Sequence, residues 1–239
     1  AYIGTDGLGV LRYNITANEW LVPFTEANGV LDGGNDDVTG LVADIRQDMI
    51  WVGGSDGFQL INITNGAEEY DIERTSNQYT ADGSPYDMMI HNNIMYYHSG
   101  EDSDEVSRLN VSNGATLSNL DVGAEVGENG GDIVGMELSG DTLMVSVVSG
   151  QWWNRDGSGG IARWNTTTSA YETTVLPTGS IDRVTSYRSS NGNTWVAWGE
   201  LKLDLYDSSQ TLVNSWDDVE FPIRGIVAVS YTHLTLPTT

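Results

Sequence analysis

A unit of about 48 residues recurs five times along the chain, and this recurrence constrains the fold more than any other feature. Each unit has an apolar run, a Gly-rich or acidic loop, a second short run, and a closing Asn or Asp. The first unit reads Tyr2-Ile3-Gly4-Thr5-Asp6-Gly7, then Leu11-Arg12-Tyr13-Asn14. The others pair Trp51-Val52-Gly53-Gly54 with Leu60-Ile61-Asn62, Met95-Tyr96-Tyr97-His98 with Arg108-Leu109-Asn110, Met144-Val145-Ser146-Val147 with Ala162-Arg163-Trp164-Asn165, and Trp195-Val196-Ala197-Trp198 with Leu205-Tyr206-Asp207. The closing residues lie 48, 48, 55 and 42 positions apart. A further apolar run precedes each later unit: Gly40–Ala43, Tyr86–Ile90, Ile133–Leu138 and Arg183–Tyr187.

The runs are four to seven residues long, rich in Val, Ile, Trp and Tyr, and bounded by turn residues, as in β-strands. Asp48-Met49, Asn92-Asn93, Gly140-Asp141 and Asn191-Gly192-Asn193 are expected to make tight hairpins, because Asn and Gly accept positive φ cheaply. No window sustains a helical period. Each unit therefore reads as four antiparallel strands, A to D. A lone twisted sheet of that size cannot bury both faces, whereas radially stacked sheets cover one another. The expected fold is an all-β propeller of four-stranded blades. A solenoid would have a shorter repeat, and a sandwich would need no regular one.

The propeller is expected to span residues 1–228, with a partial blade over 1–22 that enters at strand B. Four blades follow over about 38–216, and Pro222-Ile223-Arg224-Gly225-Ile226-Val227-Ala228 begins a further strand A. That strand either completes the first blade, closing a five-bladed ring, or opens a sixth blade of a larger propeller. The second reading is preferred, because residues 229–239 (VSYTHLTLPTT) resemble a sequencing adaptor translated in frame. Those residues, His233 among them, are set aside from functional reasoning. The chain starts at Ala1, directly in a strand, so a targeting segment is expected to lie outside the given sequence.

Tyr2-Ile3-Gly4-Thr5-Asp6-Gly7 with Leu11-Arg12-Tyr13-Asn14, and Ile50-Trp51-Val52-Gly53-Gly54 with Asp56-Gly57, resemble the repeats of two-component-regulator-type β-propellers. The resemblance is close in the first two units, partial in the fifth and weak in the third and fourth. It implies a propeller with an extracytoplasmic sensing or binding role and implies no catalytic residues. Quinoprotein propellers are similar in outline, but their Trp-docking motifs are missing.

Charge narrows the partners. The 239 residues carry 34 Asp+Glu against 10 Lys+Arg, a formal net charge of -24, and the single lysine is Lys202. Such a surface repels nucleic acid and anionic membranes. No apolar run is long enough to insert into a membrane as a helix. The absence of cysteine excludes disulfides, thiolate metal sites and a Cys nucleophile. Dominance of Asp, 21 against 13 Glu, points to a salt-exposed setting in which ions screen the self-repulsion.

Several residues are candidates for function. Asn14, Asn62, Asn110 and Asn165 each open an Asn-X-Ser/Thr sequon, all at the end of strand C. An Asn there also suits a turn in which its side chain bonds its own backbone, as Asp207 would in the fifth unit. Trp152, Trp153, Arg155 and Asp156 lie in the longest B–C loop. The tryptophans would stack on a sugar or an apolar partner and the other two would hydrogen-bond it, or the rings would cover a neighbouring blade. Glu101, Asp102, Asp104 and Glu105 form an acidic loop able to hold Ca²⁺ or simply to face solvent, without EF-hand spacing. Asn35-Asp36-Asp37 and Asp217-Asp218 are similar. His91 and His98 lack a third metal ligand in the sequence pattern. No nucleophile motif is present, and no cofactor beyond that Ca²⁺ is expected.

The expected function is a non-catalytic binding or sensing module, extracellular, periplasmic or on the cell surface. Its carbohydrate, peptide or protein partner would sit on the face of the B–C and D–A loops, where loops on a rigid scaffold carry binding. A propeller-type enzyme (glycosidase, lyase or quinoprotein-like) and a passive spacer of a large surface protein are the alternatives.

Overall fold

A computed structural model describes residues 1–33, 36–46, 48–54, 57–73, 86–98, 103–128, 131–149, 158–175, 184–188, 192–198 and 202–217. Among the described residues nineteen strands form five antiparallel sheets. The first sheet has three strands, β1 (Tyr2–Gly4), β2 (Val10–Asn14) and β3 (Glu19–Phe24). The others have four: β4 (Gly40–Ala43), β5 (Met49–Gly54), β6 (Gly57–Asn62) and β7 (Glu68–Glu73); then β8 (Tyr86–His91), β9 (Ile94–His98), β10 (Glu105–Asn110) and β11 (Ala115–Asp121). The fourth sheet is β12 (Asp132–Ser139), β13 (Thr142–Val148), β14 (Gly159–Asn165) and β15 (Ala170–Tyr171). The fifth is β16 (Val184–Arg188), β17 (Thr194–Trp198), β18 (Lys202–Tyr206) and β19 (Leu212–Trp216).

Within every sheet the strands pair in chain order. The innermost strand of each blade lies against that of the next: β4 against β8, β8 against β12, β12 against β16. This is the all-β propeller read from the repeat, and among the described residues its first sheet has three strands rather than four.

Strand B shows how alternation builds the stack. Side chains along a strand point to opposite faces in turn. Ile50 and Val52 pack toward the first blade with Val10, Phe24 and Ile61, while Trp51 between them packs toward the third with Met95, Tyr97 and Leu109. In the third blade Met95 and Tyr97 face backward and Tyr96 faces forward into the next cluster, with Leu143, Val145 and Trp164. Met144 faces forward again, onto Val196 and Tyr206 of the fifth blade. Four clusters thus join five blades. At the ends of the stack, Trp20 against Tyr13 and Trp216 against Trp195 form aromatic pairs on faces that no described blade covers. Trp20 is 64% exposed.

Two local expectations are corrected, and one short element is added. Strand D of the first blade runs on to Phe24 through Pro23, past residue 22. Pro is tolerated there because an outermost strand does not need every N–H in its ladder. The Asp48-Met49 hairpin is instead a longer connection, in which Asp44 N donates to Met49 O and Met49 N to Arg46 O, since Met49 already belongs to β5. Asp44 organises it: its carboxylate accepts from Arg46 N, Arg46 Nε and Trp51 Nε1. Burial pushes the Asp44 carboxyl up, but those hydrogen bonds outweigh it and hold it below the usual range. Finally, a single-turn helix, α1 (Val122–Val126), sits between β11 and β12, too short to leave a helical period. Of the other expected hairpins, Asn92 and Asn93 both have positive φ, as a two-residue turn requires.

Candidate functional site

A propeller presents two faces, one carrying the A–B and C–D turns and one the B–C and D–A connections. The sequons lie on the first. Asn14 Oδ1 accepts from Thr16 N and Ala17 N, both at 3.1 Å, and Asn62 Oδ1 accepts from Thr64 N at 2.9 Å. Asn110 Oδ1 accepts from Ser112 N at 2.9 Å, and Asn165 Oδ1 from Thr167 N and Thr168 N. Asp207 does the same with Ser209 N and Thr211 N. Four residues past each Asn the backbone enters the left-handed region, at Asn18, Gly66, Gly114 and Ser169; in the fifth blade it does so at Gln210. In blades two to four the residue after the Asn also donates to the A–B turn: Ile63 N to Asp48 O, Val111 N to Asn93 O and Thr166 N to Asp141 O. The turn role of these residues is thus realised in all five blades.

Two residues before the anchor, blades one, three and four carry arginine, a regularity visible in the sequence whose partners only the fold supplies. Each reaches a strand D carbonyl: Arg12 Nη1 to Val22 O, Arg108 Nε to Ser118 O, Arg163 Nη1 to Thr173 O. Two of them also reach the next blade, Arg12 through Ile63 O at 3.0 Å and Arg108 over the Trp164 ring. Arg163 is buried and its Nη2 lies 2.7 Å from Glu172 Oε2. Arg12 and Arg108 thus tie neighbouring blades, and Arg163 ties its own blade to the strand D connection.

On the opposite face, the first-blade loop is closed by the D–A connection. Gly7 N and Gly9 N donate to Asp36 O, and Asp36 Oδ1 accepts from Glu26 N at 2.8 Å. Gly9 has φ +69 and stands so close to Phe24 O that no Cβ fits. Asp36 is thereby engaged in loop structure, while Asn35 lies outside the described residues.

Of the acidic loop, Glu101 and Asp102 lie outside the described residues. Asp104 and Glu105 are set to different tasks. The Asp104 carbonyl accepts from Val122 N and Gly123 N at the start of α1, and its side chain lies against Gly123. The Glu105 carboxylate accepts from Asn119 Nδ2 at 2.7 Å. Among the described residues no group of three or more potential ligands converges on a metal position. Trp152, Trp153, Arg155 and Asp156 also lie outside the described residues. The base of their loop is described, and it is pinned by Ser149 N donating to Ser158 O at 3.0 Å.

The structure adds a pair that sequence reasoning missed. Asp87 stands at the loop-face end of β8, in a bulge, with φ +47. Its Oδ2 accepts from Met136 N of the next blade at 3.2 Å and lies 3.8 Å from Nε2 of the buried His98. The neighbouring His98 imidazole, opposed by burial and aided by the Met136 N–H, holds the Asp87 carboxyl below its usual range. Asp87 remains half exposed, a fixed negative group on the inner rim. His91 is on the other face, its Nε2 3.0 Å from Asp141 Oδ1, so the two histidines do not share a site.

The fold defines the class of protein: a propeller of four-stranded antiparallel blades. No family model matches the sequence, and no curated relative matches it. Solved structures with the same fold include a chain of the mitotic checkpoint complex, with 10% identity and a TM-score of 0.63 over 91% of this chain. U3-55K matches with 12% identity and a TM-score of 0.59 over 87%. The extracellular domain of the hybrid two-component system BT3049 from B. thetaiotaomicron matches with 14% identity and a TM-score of 0.60 over 88%. The chain spans 60%, 57% and 26% of those three chains, respectively.

Proposed function

We propose that the chain is a non-catalytic binding or sensing module working outside the cytoplasm, with a carbohydrate, peptide or protein partner on the face of the B–C and D–A connections. One observation carries this reading: the two faces are built differently. On the turn face, the anchor oxygen of every C–D turn is tied into its own backbone. Among the described residues the loop face bears the connections over 25–33 and 122–128, together with the half-exposed Asp87. Variable loops on a rigid scaffold are where binding concentrates. The likeness to an extracellular domain of a two-component system supports the location and the sensing role.

The test is a titration of the chain against panels of neutral and acidic oligosaccharides and of peptides, repeated with Trp152→Ala, Trp153→Ala and Asp87→Asn. The reading requires saturable binding that at least one of these variants weakens about tenfold, roughly 1.4 kcal/mol. Turnover of a panel sugar would make the protein an enzyme instead. Binding untouched by all three variants would move the site off the loop face.

A further inference from the structure

The four sequons share one turn, and the turn uses only half of the carboxamide. Backbone N–H groups bond Oδ1, and only an oxygen can accept them, so the orientation of each amide is decided by its chemistry. Nδ2 is left over. Asn14, Asn62 and Asn110 make no hydrogen bond through Nδ2 to any described residue. Asn165 differs: its Nδ2 donates to Glu172 Oε1 at 3.0 Å, and Arg163 grips the other oxygen of that carboxylate at 2.7 Å.

The sequon hydroxyls sharpen the contrast. Thr16, Thr64, Ser112 and Thr167 are exposed and contribute their backbone N–H to the turn. None of the four hydroxyls bonds a described residue. In the fifth blade, where the anchor is Asp207 and no sequon exists, Ser209 Oγ does serve the turn, donating to Asp207 Oδ1 at 2.7 Å. The fold therefore accounts for the Asn, and leaves the hydroxyl two residues on unexplained in the four blades that have one to spare.

We propose that Asn14, Asn62 and Asn110 are acceptors for an N-linked glycan in the folded protein, and that Asn165 is closed to it. In the transfer, Nδ2 attacks C1 of a lipid-phosphate-linked oligosaccharide. The N–C1 bond forms, the C1–O bond to phosphate breaks, the lipid phosphate leaves with the electron pair, and the Nδ2 proton passes to a base of the transferase. No redox change occurs. Oδ1 is untouched, so the turn survives modification. The glycans would stand on the turn face and leave the loop face clear. Natural modification rests on the extracytoplasmic location proposed above, whereas the acceptor geometry does not.

The experiment incubates the purified chain with an oligosaccharyltransferase and its lipid-linked donor, once folded and once unfolded in urea and diluted just before reaction. Site occupancy is read by peptide mass spectrometry. The unfolded chain is expected to be modified at all four sequons. The folded chain is expected to be modified at Asn14, Asn62 and Asn110, with Asn165 at least about tenfold slower, the scale of a hydrogen bond to a charged group. Glu172→Ala is expected to open Asn165 in the folded state. A folded chain that accepts at none of the three, or at Asn165 as fast as at the others, overturns the proposal. Neither result bears on ligand binding at the loop face.

Discussion

The buried His98 ring holds its Nε2 3.8 Å from Oδ2 of Asp87, at a point where the Asp87 backbone is in the left-handed region. The same oxygen accepts from Met136 N across the blade boundary. One carboxylate thus joins a buried imidazole, a backbone bulge and the neighbouring blade. Asp87→Ala removes those bonds and leaves alanine at positive φ, so a loss of about 2–3 kcal/mol in urea unfolding is expected. Asp87→Asn keeps a side chain that tolerates this backbone and should lose less. The folded carboxyl titrates below its ordinary value of 3.8. Its contribution is therefore complete above that pH and is lost as pH falls through the folded value, and Asp87→Asn should flatten that acid limb.

Arg163 is a second test of blade cohesion. Its guanidinium meets both Glu172 and the Thr173 carbonyl from a buried position. Arg163→Lys cannot reproduce that fork and should cost about 1–2 kcal/mol. Arg163→Met leaves Glu172 without its cation and should cost about 3 kcal/mol, much of it recovered in Arg163→Met/Glu172→Leu. Equal stability of the single and double variants would show that leaving Glu172 without its cation costs nothing.

The C–D turns make a prediction about backbone alone. Ser169 and Gln210 adopt φ 52 and φ 63 where two other blades use Gly66 and Gly114. Ser169→Gly and Gln210→Gly are each expected to stabilise by roughly 0.5–1 kcal/mol, visible as a rise in the urea midpoint. Gly66→Ala and Gly114→Ala should do the reverse.

Glu137 lies on β12, opposite Met144 in the register and half buried. Burial pushes its carboxyl up to about 7 from an ordinary 4.5. Between those values the folded chain holds a proton that the unfolded chain has lost. Stability should therefore fall as pH rises from about 4.5 to 7, by at most about 3 kcal/mol. Glu137→Gln should remove this slope and be the more stable form above pH 7. A pH-independent difference between the two proteins would count against it.

With a formal net charge of -24, the chain repels itself at low ionic strength. Its melting temperature is expected to rise from dilute buffer to about 0.15 M NaCl and further toward 1 M, as the screening length falls from about 8 to 3 Å. An unchanged melting temperature would refute the salt-exposed reading.

Much of the architecture was legible because its signals are short. Trp51 between Ile50 and Val52 announces a strand buried on both faces, and Asn62 followed by Thr64 announces a turn. The misses have equally physical causes. Pro23 reads as a stop but sits on an outermost strand, which tolerates it. The helix at Val122–Val126 is a single turn. The closeness of His98 to Asp87 is not legible in the sequence, because Asp87 comes into reach only through a bulge that displaces the register of β8 against β9.

The sequence by itself determined the repeat, the strand order and the five anchored turns. These depend on alternation within a strand and on bonds between an anchor and the next few residues, and such relations are complete within a few positions of the chain. Tertiary structure decided what the anchors and charges are for. Arg12 meets Ile63 O, Asp87 meets Met136 N and His91 meets Asp141 only because stacked blades bring together groups 49–51 residues apart. The same holds for the sequons. Four sequons of one general pattern differ in their amides: Asn165 Nδ2 alone donates to a described residue, Glu172, which Arg163 holds against it.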